Sequence, residues 1–353
     1  MIAIYFSKEF YLHTPPMGLY HPENPRRLEI ALNALHYSGF KENIIEVQNV
    51  EVDVNAQEFL LKMHDSAYVE HIFKLCSQGF EGYIDNDTYV SRGTCKAAQK
   101  AIEISMMVTK HVLEHRHSLA LALVRPPGHH AGVMGKAMGA STQGFCIFNN
   151  IAAATTYALH SGFKRILIID IDVHHGNGTQ QIFWNNPDVI HIDVHEHGIY
   201  PGTGDIHDIG GKGAEGTKVN IPLPPYSGDE DYIYIFSTLV EPLIYAVKPR
   251  LIAVSAGFDA YINDGLAEMR LTEGFYEFFG RMLYEVSRAL GIGVVATLEG
   301  GYSIGLRNGL PAMLKGFAKQ EYAKFRIEEI KTSYAIKTLV NEVMQILKQY
   351  IAI

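Results

Sequence analysis

Residues 165–179 read RILIIDIDVHHGNGT. The run from Ile166 to Ile169 describes a strand covered on both faces, yet Asp170, Asp172 and His174 then follow at alternate positions. In an extended segment, residues i, i+2 and i+4 project from one face, so two carboxylates and an imidazole converge. Carboxylates side by side in a dry strand end repel, and burying them unpaired costs several kcal/mol. A divalent cation resolves the conflict. Asp172 and His174 can ligate it, with Asp259 of SAGFDAY (255–261) arriving from another strand. Three oxygen and nitrogen ligands with an open fourth position describe a catalytic zinc site. A metal-free Asp–His–Asp hydrogen-bond network fits the same stretch.

Further reactive residues stand in RPPGHHA (125–131), where two prolines and a glycine constrain the backbone before His129 and His130. An adjacent pair of imidazoles facing a metal offers a general base and an electrostatic partner. Asp170 could orient one imidazole as an outer carboxylate, and Asn177 the other. His175 alternates out of phase with His174 and reads as structural.

These residues need strands to deliver them. Apolar runs at 2–6, 119–124, 165–170, 188–194, 217–221, 250–256 and 292–298 alternate with helical patterns at 25–38, 57–63, 65–78, 91–115, 149–161, 229–247, 271–290, 303–319 and 334–351. Continuous apolar strands suit a parallel sheet buried on both faces, and the alternation predicts one open α/β sheet. Ligands of such sheets bind beyond the carboxyl ends of the strands. His129 and His130, then Asp170 to His174, His195, Asp259 and Tyr302 each follow a predicted strand. Five strand ends thus bring chemistry to one edge.

The 353 residues hold no linker, repeat or low-complexity tract, so a single domain over 1–353 is expected. No apolar run reaches the roughly 18–20 residues of a membrane span. The formal charge of −8, with no basic block, argues against a nucleic-acid partner. MIAIYFSKEF reads as a first strand and not as a signal peptide. Cys76, Cys95 and Cys146 lie apart without a Cys-x-x-Cys pair, which predicts neither a disulfide framework nor a thiolate metal site, and a reducing cytoplasm.

RPPGHHA, GFCIFNN (144–150), DIDVHHGNGTQ (170–180), YPGTGD (200–205), SAGFDAY and LEGGY (298–302) occur in the order and approximate spacing of the zinc-dependent histone deacetylase family. The chain also resembles acetylpolyamine amidohydrolases and acetoin-utilisation proteins, over about residues 1–320. HPENPRRLEIAL (21–32) and YIDNDTYVS (83–91) are similar to its class II-type branch. The resemblance implies a three-layer α/β/α arginase/deacetylase fold around a mostly parallel eight-stranded sheet. It implies zinc, or ferrous iron, on Asp172, His174 and Asp259. His130 would be general base and acid, and His129 its electrostatic partner, paired with Asp170. Tyr302 would donate a hydrogen bond to the substrate carbonyl. Phe145 and Tyr200, with Gly144 and Gly300, would line a narrow acyl-lysine tunnel. A structural potassium ion would lie on Asp170, Asp172, His174, Asp193 and Val194.

Departures refine the expectation. Asn177 stands where some members carry aspartate, which leaves His130 less basic. Asp193 stands where serine is common, beside the expected potassium. Position 266 is Leu, whereas polyamine-preferring relatives have a glutamate there, so acylated lysine in peptides or proteins is favoured over acetylpolyamines. Asp85 or Asp87 could contact a peptide backbone at the tunnel mouth, or simply cap the turn of DNDT. A binuclear manganese ureohydrolase shares the implied fold but needs more acidic ligands, and a silent acyl-lysine reader would not need His130 and Tyr302. The helix at 334–351 is expected to pack on the sheet, with partner binding the alternative.

Overall fold

The computed structural model describes residues 1–49, 53–318 and 330–352. Its strands are β1 (Ile2–Phe6), β2 (Ile44–Glu46), β3 (Gly82–Tyr83), β4 (Tyr89–Val90), β5 (Leu119–Ala122), β6 (Ile166–Asp170), β7 (Val189–Glu196), β8 (Lys218–Leu223), β9 (Leu251–Ala256) and β10 (Val294–Leu298). Eight of them form one sheet in the order β2-β1-β5-β10-β9-β6-β7-β8, while β3 and β4 make a separate hairpin. Every pairing in the large sheet is parallel. The central strands β5, β6, β9 and β10 are buried at every residue, which is why their sequences are unbroken apolar runs.

Helices cover both faces. They are α1 (Arg26–Leu35), α2 (Ala56–Leu60), α3 (Ser66–Ser77), α4 (Thr94–Glu114), α5 (Asn150–His160), α6 (Asn177–Ile182), α7 (Asp229–Ile235), α8 (Glu241–Val247), α9 (Glu273–Leu290), α10 (Ile304–Ala318) and α11 (Tyr334–Leu347). α4 and α5 pack on each other and on central strands, while α1, α9 and α10 pack together as a second layer. The last expected position of the helix at 303–319 lies outside the described residues. α11 buries Ile336, Val340, Val343 and Leu347 at helical spacing and lies along the edge strand β8, so packing accounts for its apolar stripe. No helix among the described residues is long and apolar enough to cross a membrane.

One expectation fails. Cys76, near the end of α3, and Cys95, near the start of α4, form a disulfide with Cα atoms 6.1 Å apart. Linear spacing hid the pair because the hairpin between the helices returns the chain on itself. The inference of a reducing compartment rested on those cysteines lying apart, and it loses that premise. Cys146 is a free, buried thiol.

His64 ties the loop before α3 to the site. Its Nδ1 is 2.8 Å from Gly132 O, and its Nε2 accepts from Asn149 N at 3.1 Å. Both contacts need the neutral ring, with the proton on Nδ1. Burial pushes His64 down to about 4. The unfolded chain therefore binds the extra proton between about pH 6.5 and 4, and this part of the stability is present above that window and lost as pH falls through it. His64→Gln can donate and accept without titrating. Its melting temperature is expected to fall less steeply than wild type between pH 7 and pH 4, and an identical slope would remove His64 from the acid response.

Candidate active site

The carboxyl ends of β5, β6, β9 and β10 open onto a cavity of about 160 Å³ lined by Asp87, Pro127, His129, His130, Gly144, Phe145, Asp172, His174, Tyr200, Leu266, Gly300 and Tyr302. At its floor, single donor atoms of Asp172, His174 and Asp259 lie within 4.8 Å of one another. His174 Nδ1 is 3.2 Å from both Asp172 Oδ1 and Asp259 Oδ2. Asp259 Oδ2 is buried, and no donor meets it in hydrogen-bond geometry. A nitrogen equidistant from two carboxylates, one with an oxygen that no donor meets, suits a shared cation.

Glycines make room for this cluster. A Cβ on Gly300 would sit 2.2 Å from Asp259 Oδ2 and 2.5 Å from Asp172 Oδ2, and one on Gly257 would sit 2.3 Å from Asp172 Cα. Gly300 N also donates to Asp172 Oδ2 at 2.7 Å. Gly144 has φ +53°, and a Cβ there would meet His130 Cδ2 at 2.4 Å.

The two adjacent histidines have opposite electrostatics. His129 Nδ1 is 3.1 Å from Asp170 Oδ2. Burial opposes charge on His129, but Asp172 and Asp170 outweigh it and hold this ring well above the usual histidine range. His130 Nδ1 donates to Asn177 Oδ1 at 2.8 Å, and Asn177 Nδ2 donates to Ala137 O at 3.0 Å. That second bond orients the amide, so His130 carries its proton on Nδ1 and keeps a lone pair on Nε2. Burial, then the neighbouring His129 and His174, hold His130 well below its ordinary range. Burial also pushes the Tyr302 hydroxyl well up, so it stays a donor. Phe145 stands edge-on to Tyr302 with ring centres 5.9 Å apart, and Tyr200 stands edge-on to His130 at 4.9 Å. Tyr200 OH is anchored on Thr142 O at 3.0 Å.

Of the two rim acids, only Asp87 lines the cavity. Asp85 is spent on the turn: its carboxylate accepts from Asp87 N, Thr88 N and Gln143 N. Asp193 and Val194 are buried in β7, outside the cavity, and Asp193 pairs in register with Asp170. His175 is structural in its contacts, with Nδ1 2.7 Å from Thr203 Oγ1 and Nε2 3.1 Å from Gln180 Oε1.

Supporting residues escaped the sequence reading. Arg125 grips Glu23 through two bonds of 2.6 and 2.8 Å, and Glu23 also takes Tyr89 OH at 2.9 Å and Arg27 Nη1 at 3.2 Å. Arg27 donates to Gly301 O at 2.7 Å and to Glu299 O, and its guanidinium lies 4.7 Å from the Tyr302 ring centre. Burial raises Glu23, but Arg125, His13 and Arg27 outweigh it and hold the carboxylate well below its ordinary value. Asp264 accepts from Tyr302 N, Ser303 N and Gly305 N, and Glu299 accepts from Gly128 N and His129 N. The signal for Glu23 and Arg27 was their i, i+4 spacing in HPENPRR, which alone names no partner across the fold.

Gly300→Ala is expected to fold but to lose about tenfold or more in metal affinity, the scale of disturbing a ligand's immediate support. Metal content after dialysis, measured by elemental analysis, checks this, and wild-type retention would contradict the close packing.

The sequence profile of the histone deacetylase domain matches residues 21–316. An uncharacterised protein of Methanocaldococcus jannaschii is 46% identical over 100% of this chain and 98% of its own length. A probable deacetylase of Archaeoglobus fulgidus is 36% identical over 86% of this chain and 81% of its own. Histone deacetylase 6 of Caenorhabditis elegans is 34% identical over 95% of this chain, which spans 35% of that longer protein. The crystal structure of the HDA15 HD domain superposes with a TM-score of 0.85 at 31% identity, covering 99% of this chain and 94% of that one. The α/β fold is therefore the arginase/deacetylase fold, and the chain belongs to the histone deacetylase family.

Proposed function

We propose that the chain, as one domain over 1–353, is a metal-dependent deacylase that removes acetyl or another short acyl group from lysine side chains of peptides or proteins. The observation that carries this reading is the floor of the cavity, where Asp172, His174 and Asp259 converge beside His130 and Tyr302. The donor set of two carboxylates and one imidazole fits Zn2+, with Fe2+ as the alternative ion. When bound, such an ion supplies Lewis acidity to water and to the amide carbonyl.

The protein's own groups carry the proton traffic. His130, neutral and with Nε2 open, takes a proton from water as that water adds to the amide carbon. His129, paired with Asp170, holds the neighbouring positive charge. The Tyr302 hydroxyl donates to the carbonyl oxygen as negative charge develops there, and its backbone is held by Asp264. His130 then returns the proton to the amine nitrogen as the C–N bond breaks. The products are a carboxylate and a free amine. The aromatic rings of Phe145 and Tyr200 suit the apolar stem of a lysine, and Leu266 offers no anion to reward a polycation.

Acyl release from an acetyl-lysine peptide and from an acetylpolyamine, by metal-stripped and zinc-reloaded protein, tests this reading. Metal-dependent turnover of the peptide in preference to the polyamine is expected. The reverse preference would transfer the activity to small acylamines, and silence on both with metal bound would favour an acyl-lysine binding protein. Tyr302→Phe is expected to lower turnover by about 10²–10³, the scale of losing one oxyanion donor, with its fold intact by circular dichroism. Undiminished turnover in that variant would remove Tyr302 from the reaction.

A further inference from the structure

A second cluster lies behind the first, deeper in the sheet. Asp170, His191 and Asp193 each place a donor atom within 4.8 Å of the others, and all three are buried. They belong to a polar row that crosses four strands. Ser255 of β9 is in register with Asp170 of β6, Asp170 with Asp193 of β7, and Asp193 with Asn220 of β8. Registered neighbours in a parallel sheet project from the same face, and His191 stands two residues before Asp193 on that face.

The carboxylates are half-satisfied. Asp193 takes His195 Nδ1 at 2.7 Å and Gly176 N at 2.8 Å, and Asp170 takes His129 Nδ1 at 3.1 Å and Asp172 N at 3.0 Å. Several polar atoms around them have no partner. His191 has no exposed surface, and neither of its ring nitrogens has a hydrogen-bond partner, although Nε2 lies 3.5 Å from Asp193 Oδ2. Asn220 Oδ1 and Ser255 Oγ are likewise buried without partners. Gly176 leaves open the space between the acids, since a Cβ there would meet Asp170 Oδ2 at 2.5 Å and Asp193 Oδ2 at 3.2 Å. Orphaned buried polar groups around two carboxylates point to a missing ligand that is positively charged.

The donor chemistry selects the ion. The resemblance implies a monovalent potassium ion here, a cation held by oxygen donors. Two carboxylates and an imidazole make an anionic donor set that includes a nitrogen, which suits a divalent transition metal. We infer that Asp170, His191 and Asp193 form a second metal site, for a divalent ion of the Mn2+, Fe2+ or Zn2+ class. Asp170 links the two centres, because the same carboxylate holds His129. The inference stands apart from the reading of the catalytic ligands.

The experiment strips the full-length protein with chelator, reloads it with Zn2+ or with Mn2+ in potassium-free buffer, and counts bound metal by elemental analysis. Wild type is expected to hold two equivalents, Asp259→Asn one and Asp193→Ser one. His191→Gln, which keeps polarity without the imidazole, is expected to bind the second equivalent at least tenfold more weakly. Crystals of the Mn2+-loaded wild type are expected to show an anomalous peak between Asp170, His191 and Asp193, a readout that needs no variant to fold. A single equivalent in wild type that Asp259→Asn abolishes would overturn the second site and leave the catalytic one intact. Displacement of the second equivalent by potassium chloride, or its retention in both Asp193→Ser and His191→Gln, would also overturn it. Loss of the first site alone would count against the catalytic reading without touching this one.

Discussion

Negative charge crowded at the carboxyl edge of a dry sheet is the constraint on which the rest of the structure depends. Glu23, Asp170, Asp172, Asp193, Asp259 and Glu299 are all buried. Each would destabilise the fold unless a partner met it. The partners differ in kind. Glu23 has two guanidinium groups, Glu299 has backbone N–H donors, Asp170 has His129, and Asp259 ends in an oxygen with no donor in line. Satisfaction is thus least complete at Asp259, and that is where a cation has most to gain.

The same arrangement separates two chemically identical side chains. His129 and His130 have ring centres 4.0 Å apart, yet one faces a carboxylate and the other an amide. Charge on the first discourages charge on the second. Pairs of titratable groups driven apart in this way mark acid and base roles. The neutral Asn177 matters here, because a carboxylate in its place would narrow the separation.

Much of this was legible in linear order. β6 and β9 are uninterrupted apolar runs because both faces are covered, and alternation after Ile169 already puts Asp170, Asp172 and His174 on one side. β2 escaped because it is a three-residue edge strand with little buried surface, and α6 because it starts inside the glycine-rich HGNG turn. The Cys76–Cys95 bond, the Glu23–Arg125 pair and the Asp264 cap join residues from different elements, and periodicity carries no information about such meetings. His191 is the subtler case. It reads as one polar interruption in a buried strand, and only the strand register shows that it adjoins two acids.

The Arg27 and Arg125 clamp has a consequence for synthesis. Glu23 pairs with Arg125 across 102 positions, and Arg27 holds Gly301 across 274. β10, placed between β5 and β9, is the last strand of the sheet to be translated. The support for Tyr302 can therefore close only after Glu299 and Gly301 have left the ribosome. Until then Arg27 lacks both of its carbonyl partners and β5 and β9 flank an unfilled place in the sheet, the situation in which long-range topologies fold slowly and offer unpaired strands to neighbours. The Tyr302 wall of the cavity is thus the part of the site that a nascent chain completes last.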